Sequence, residues 1–441
     1  MRMCFQRFHL RALPAPVSLW LVYGLFGVAG VAQAAIVPLL PRMSVHFGLS
    51  ASQTALLLAL PGLATLAVSV PSGIAADRIG ARRVSLGAGA LLCLACAAQA
   101  MPSLAAVLAG RIVFGVAFGV VWTSGMAWLA DLDEARGETA PPTLGPAVTC
   151  SSVGIMLGPA VGGVLAQHIG LGAPFAVIAV AAALIVVPLA VGTTSVRRAT
   201  PAPPVEASGL PIEIAYFQAP VSDGPERITP RVLLALARRP RVTAAAGALV
   251  VSGAVSSASQ LLVSGGLHHL GLSTGRIGLA FSIAAVCYIA VSTIVVRFGA
   301  RAQTLKLNAL ATVALAIALV PALASTGAVA LVMALLLSAG PRAVISTIAY
   351  NLASQREETD PTHPTSDGVV FGMLNGAWAA ATVLMPLLAG AVEQTAGVEV
   401  AYLAVIVPSL VVAVSLLATA AARVPGLGGL RVGLRGGRGL S

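Results

Sequence analysis

Between two long apolar stretches the chain reads GIAADRIGARR, Gly73 to Arg83: an acid, three arginines and two glycines in one short gap. Gly73 and Gly80 permit close helix approach and a tight turn where a Cβ would clash. Asp77 stands where the second apolar run ends. A carboxylate there accepts backbone N–H bonds at a helix N-terminus or pairs with arginine, and both favour its ionised form. The cluster has two readings. Arg78, Arg82 and Arg83 anchor the loop on one side of a membrane, or they form with Asp77 a charged latch, made when two parts of the molecule close and broken when they open. Two further arginines lie inside apolar runs: Arg111 in GRIVFGVAFG, sharing a helix face with Gly115 and Gly119, and Arg342 in LLLSAGPRAVIST. An arginine within a span costs about 2.5–3.5 kcal/mol on insertion scales, so it should face the bundle interior or water. Arg111 starts close enough to the end of its run that snorkelling to the surface is a second reading. Arg342 is central, where snorkelling is hard, and suits binding an anionic group or pairing across a cleft.

The elements that position these residues are set by composition. Of 441 residues 58% are hydrophobic and only 9% charged, with a mean hydropathy of +0.94. Soluble domains carry about a quarter charged residues, so a bilayer is the solvent this chain suits. The net charge is +11 and Lys306 is the one lysine. No basic run is interleaved with base-stacking aromatics, which argues against nucleic acid. The five cysteines have no disulfide-framework spacing, and Cys93 and Cys96 sit in an apolar run as small hydrophobes. Runs of about 20 apolar residues occur near 16–40, 53–74, 84–101, 104–129, 143–166 and 172–191. Six more follow near 242–263, 275–296, 304–323, 327–350, 368–391 and 400–422. The first imitates a signal peptide but continues to Pro38, and reads as an uncleaved span.

The expected fold is therefore an all-α membrane protein of twelve transmembrane helices in two six-helix bundles. Residues 1–192 form the first bundle, 193–240 a proline-rich cytoplasmic linker, 241–422 the second bundle and 423–441 a basic cytoplasmic tail. Within the linker, IEIAYFQ suits a short surface helix. Arginines crowd every second gap and the outer gaps keep only Arg42 and Arg276, which places both termini in the cytoplasm. The halves repeat each other. HFGLSASQTALLLA at His46 returns as HLGLSTGRIGLAFS at His269, and RIGAR at Arg78 as RFGAR at Arg297. DLDEAR at Asp131 returns as NLASQR at Asn351, and GPAVGGVLAQ at Gly158 as MPLLAGAVEQ at Met385. Four matches in one order and at nearly constant offset argue for duplication, and two like halves suit alternating access about a central cleft.

GIAADRIGARR resembles the loop between the second and third helices of the major facilitator superfamily, roughly G-x-x-x-D-R-x-G-R-R, and the twelve-span topology extends the resemblance over the whole chain. Ala81 departs from the pattern where arginine is usual. In the second half Val296 replaces Asp77 and Ser292 replaces Gly73, so the latch belongs to the first half. Asp131 and Arg136 resemble the family's fourth-to-fifth-helix loop, a partner set for that latch. GRIVFGVAFG looks like the family's arginine-containing fourth-helix motif, which makes Arg111 the proton-coupling candidate. In the fifth span GIMLGPAVGG supplies Gly154, Gly158, Pro159, Gly162 and Gly163. Small residues four apart let helix backbones touch and the proline bends the span; the stretch also looks like the family's antiporter signature, found mainly in exporters.

Buried polar and aromatic residues near mid-span are the candidates for a substrate cleft: Gln33, Trp122, Gln260, Arg342, Asn375 and Trp378. Interhelical hydrogen bonding is the alternative for Gln33 and Asn375, and packing for Trp122 and Trp378. No Asp or Glu falls in mid-span; Asp77, Asp131, Glu393 and Glu399 lie near membrane faces, and His168 at a span end. Such a cleft favours neutral or anionic amphiphiles over cations. The resemblance implies a monomeric inner-membrane exporter of small amphiphilic molecules with protons as coupling ion, and no cofactor or metal. An importer or facilitator of a small organic anion is the alternative, which Arg111 and Arg342 suit and the fifth-span signature does not. No HExxH, paired membrane carboxylates or Ser/His/Asp grouping points to an enzyme.

Overall fold

The computed structural model describes residues 15–134, 143–192, 238–299, 304–323, 327–354 and 367–422. Arg136, most of the linker with IEIAYFQ, and the basic tail lie outside the described residues. Among the described residues twelve helices are long and apolar enough to cross a membrane, and no strand occurs. The first half contains α1 (Ala15–Ala35), α2 (Ala51–Ile79), α3 (Ala81–Gln99), α4 (Leu104–Glu134), α5 (Leu144–His168) and α6 (Ala173–Val191). The second contains α7 (Pro240–Ala258), α8 (Thr274–Phe298), α9 (Leu305–Ile317), α10 (Ala328–Ser354), α11 (Asp367–Ala396) and α12 (Val398–Ala422).

Local chemistry fixes the helix ends. Ser50 caps α2 and Ser273 caps α8, each hydroxyl accepting the backbone N–H three residues on. Gly80 takes φ +95° at the α2–α3 turn, a conformation that a Cβ would strain. The repeat read in the sequence is visible in the backbone. In each half the first helix changes its winding at the corresponding place: a 3₁₀ turn at Val37–Leu39 continues α1 into Leu40–Phe47, and a π turn at Ser259–Val263 continues α7 into Ser264–His269. Each irregular turn touches a helix of the opposite half, α8 and α2 respectively.

Without a hydrophobic driving force between helices in lipid, packing relies on close backbone approach. The fifth helix provides it on two faces. A Cβ at Gly154 would strike the carbonyl of Gly27, one at Gly158 would lie 2.7 Å from Val31 O, and one at Gly162 would strike Ala35. This stripe is the seam with α1. The neighbouring face points elsewhere: Gly163 lies against Thr274 and Gly275, and Pro159 against Gly278, all on α8 of the other half. The five glycine and proline residues thus divide between an internal seam and the interface between halves.

The halves meet along two antiparallel pairs, α5 with α8 and α2 with α11. On the second pair Gly62 lies against Val383, and Gly390 against Ala51 and Ala55. That register, continued along the helices, would bring 69 opposite 376 and 73 opposite 372. It does not: a Cβ at Gly376 or Gly372 meets nothing within 4 Å, and one at Gly73 meets only Thr123 of its own half. The helices touch at the end that carries the α1–α2 and α7–α8 turns and have splayed at the end that carries Asp77. The closed end is sealed by apolar residues of both halves, Val37 and Ala55 packing into the cluster of Leu261, Ile277 and Ala389.

The glycine seam predicts a sharp contrast within one helix. Gly154→Val should destabilise the protein by about 1–3 kcal/mol or more, because backbone on α1 cannot yield. Gly145→Ala, where a Cβ meets nothing, should leave stability unchanged. Thermal unfolding of the detergent-solubilised protein checks this; equal melting of the two variants would refute the seam.

Candidate functional site

Six polar side chains follow the seam of α8, α10 and α11 beyond the last contacts between halves. Arg342, in mid-α10, is half-buried and its guanidinium carbon lies 5.6 Å from the ring centre of Tyr288 on α8, within range of a cation–π contact. It has no ion pair or hydrogen bond among the described residues. Two turns further along α10, the Tyr350 hydroxyl donates to Asn375 Oδ1 on α11. Ser292 and Thr347 join α8 to α10 by a hydroxyl pair at 3.0 Å. Tyr288 and Tyr350 are absent from the sequence-derived candidates, since a tyrosine within an apolar run reads as one more hydrophobe. Tyr288 supplies an aromatic face for a cation, and Tyr350 holds an amide further along the same seam. A half-buried guanidinium on such a wall can hold a carboxylate or another oxyanion.

The other cleft candidates separate. Gln33 is exposed although it lies in a spanning helix, and makes no hydrogen bond among the described residues. An amide facing lipid would be costly, so the space between the halves is its environment. Gln260 lies on the π turn that touches α2, α10 and α11, half-buried where the halves converge; π turns are frequent at functional sites. Trp378 is 41% exposed, three residues after Asn375, with its carbonyl against Gly253 of α7. For Trp122 the surroundings are those of the packing alternative. It is buried in the first half, edge-on to Phe26 with ring centres 5.2 Å apart and beside Phe118. On α4 it packs against Phe26 of α1 and Phe118 one turn earlier on its own helix.

Arg111 faces inward and does not snorkel. It is 1% exposed, donates from Nε to the carbonyl of Leu57 on α2 at 2.9 Å, and lies 5.5 Å over the ring of Phe114. The proline at 61 leaves α2 with one fewer donor nearby, so a carbonyl on this stretch has capacity to accept. Arg111 Nη1 is buried without a partner. A buried guanidinium so sparsely bonded is sensitive to any charge or polar group brought near it.

The GIAADRIGARR segment also departs from expectation. Asp77 sits in the last turn of α2, not at a helix N-terminus, because the helix runs on past the apolar stretch to Ile79. Asp77, Arg78 and Arg83 are exposed, and Asp77 forms no ion pair among the described residues. Arg82 is otherwise engaged: its Nη2 donates to the carbonyls of Leu189 and Gly192, satisfying the exposed C-terminus of α6 within the same half. Asp131 is exposed near the end of α4. The buried carboxylate of that loop is Asp133, 2% exposed, accepting from the backbone N–H and hydroxyl of Thr143 at the entrance to α5. Its helical phase could have revealed it, since Leu129 one turn earlier is fully buried.

Comparison with known proteins follows the same outline. A family model described as Major Facilitator Superfamily matches residues 22–357. The MFS-type transporter ppzB of Metarhizium rileyi is 34% identical over 182 residues, 40% of this chain and 37% of that protein. Its namesake from Metarhizium majus is 36% identical over 122 residues, 27% and 26% of the two chains. The matches span little more than a third of those relatives' length at most. Among solved structures, a bacterial homolog of the human lysosomal transporter Spinster, inward-facing and unoccupied, superposes with a TM-score of 0.66 at 14% identity, covering 92% of this chain and 95% of that one. The human organic anion transporter MFSD10 gives 0.56 at 19% identity, covering 91% and 100%. With the family model matched over most of its length and twelve spans arranged as two repeats, the chain belongs to the major facilitator superfamily and is a multi-pass membrane protein.

Proposed function

We propose that this transporter exports small amphiphilic molecules, neutral or anionic, across the inner membrane by proton-linked alternating access. The observation that carries export is the fifth helix, whose Gly154–Gly163 face has the antiporter-signature sequence and seats α5 against α1 and α8 together. The arginine bias of the alternate loops puts both termini, and with them the splayed end, in the cytoplasm. A cleft open on that side is where an exporter loads. Arg342 on Tyr288 supports the anionic part of the substrate range, and no carboxylate on the described seam offers a site for a cation. Arg111, buried beside α2, is the residue through which a proton would be felt. Asp77, exposed while this end is open, is free to serve as the latch when it closes. Arg82, committed to α6, supports that latch by holding the loop. The second reading, import of a small organic anion, rests on the same Arg342 and would make the splayed state the one that releases.

An efflux-deficient bacterial host expressing the protein, challenged with neutral, anionic and cationic compounds, separates these. Resistance to neutral and anionic compounds is expected, and Asp77→Asn should abolish it at matched membrane levels. Full resistance with Asp77→Asn would refute the latch, and heightened sensitivity to an anion would favour import. Arg342→Ala should lose protection against anions by tenfold or more, consistent with a charge-assisted contact of about 1.5–3 kcal/mol, and keep protection against neutral compounds. Equal loss for both classes would make Arg342 structural. In proteoliposomes an imposed proton gradient should drive transport by the wild type, and Arg111→Met should uncouple it; gradient-driven transport unaltered in that variant would remove Arg111 from coupling.

A further inference from the structure

The N-terminus of an α-helix leaves four backbone N–H groups without a partner. In α2 and α8 the serine at the N-cap takes one of them: Ser50 Oγ accepts from Gln53 N at 3.3 Å, and Ser273 Oγ from Arg276 N at 3.4 Å. The N–H just before each of these goes across the molecule. Gly275 N donates to Gln167 Oε1 at 3.0 Å, from the second half's second helix to the first half's fifth helix. Ser52 N donates to Gln394 Oε1 at 3.4 Å, from the first half's second helix to the second half's fifth helix. Ser52 and Gly275 occupy the same place in the duplicated His46 and His269 segments, and Gln167 and Gln394 close the duplicated GPAVGGVLAQ and MPLLAGAVEQ segments. The two bonds are therefore one device present twice, related by the internal repeat. Glycine at 275 belongs to it, since a Cβ there would lie 2.5 Å from Gln167 Oε1.

We propose that Gln167 and Gln394 are the gating residues of the closed end: each amide caps the second helix of the opposite half while the halves are together and releases it when they part. The cap is complete only in the closed arrangement. On parting, each N–H must turn to water, and each glutamine Oε1 loses its fixed donor. Ser282 strengthens the first of the two contacts, its hydroxyl accepting Ala160 N at 3.0 Å beside the Pro159 kink. The Gln394 bond is exposed and longer, so it contributes less than the part-buried Gln167 bond. A neutral hydrogen bond shifts an equilibrium by a factor of roughly 2 to 10.

Distance measurement by double electron–electron resonance tests this on the full chain in nanodiscs, with no substrate needed. Spin labels are placed at Met101 and Leu270, exposed residues of opposite halves at the closed end, after the five native cysteines are replaced. Gln167→Met keeps the length and removes the acceptor; it should raise the ratio of parted to closed molecules about 2- to 10-fold, Gln394→Met less, and the double variant by at least as much as Gln167→Met. Gln167→Glu retains an acceptor at a helix N-terminus and should stay at least as closed as the wild type. Unchanged distances in both methionine variants, or equal opening by Gln167→Met and Gln167→Glu, would overturn the proposal, the second by showing that any substitution there loosens packing.

Discussion

The constraint on which the structure depends is that one helix, α5, brings its backbone against two others at once. Lipid tails are as apolar as leucine, so burying leucine between spans gains little, and close packing must hold the assembly. Gly154, Gly158 and Gly162 lock α5 to α1, while Gly163 and Pro159 lay the same helix on Gly275 and Gly278 of the other half. The first seam makes α1 and α5 a rigid unit. The second makes that unit one side of the closed end. Any motion of α5 relative to α8 must therefore carry α1 with it, and the halves part as bodies rather than as single helices.

The two interfaces between halves differ in how they can part. Glycine-to-backbone contacts are flat and have few side chains to disengage, so separating them costs dispersion without leaving a tangled surface. The polar contacts are few: two use N–H groups of helix N-termini, which have no helical partner, and one is made beside Pro159. The helix-terminal N–H groups donate to water in the parted state as readily as to Gln167 or Gln394 in the joined one. A closed end built from orphan donors and glycine faces is one that can open and close repeatedly without burying an unsatisfied group in either state.

Much of this was legible in the sequence because the physical signals are local. Twelve apolar runs, their charge-bearing gaps, the turn at Gly80 and the small-residue face of α5 each follow from residues within a few turns. The repeat was legible too, and it placed Gln167 and Gln394 in register, but as a match rather than as a contact. Their partners lie in the opposite half, and no spacing within one chain segment reveals which helix end a distant amide will meet. Asp133 was overlooked for Asp131 for a related reason: the two differ only in helical phase, and the phase shows only once Leu129 is known to be buried. Arg82 was assigned to a charged latch by its neighbours in sequence, whereas its contacts are carbonyls at the end of α6, reached through the fold.

The duplication is kept in some places and lost in others, and the division has a physical logic. The N-cap serines, the glutamines that cross the interface and the irregular turns at Val37–Leu39 and Ser259–Val263 recur in both halves. Closing a symmetric end requires the same contact from both sides. Charge does not follow this rule. Val296 stands in place of Asp77; the stretch corresponding to Arg111 reads Leu331, Val332, Met333 and Ala334; that corresponding to Arg342 reads Gly119, Val120, Val121 and Trp122. A second buried guanidinium facing the first across the cleft would repel it in a low-dielectric space, and a single anionic group could not satisfy both. One arginine per half, at different depths and with different neighbours, avoids that repulsion. Symmetry is retained where the halves must move alike, and is lost where only one copy of a charge can be tolerated.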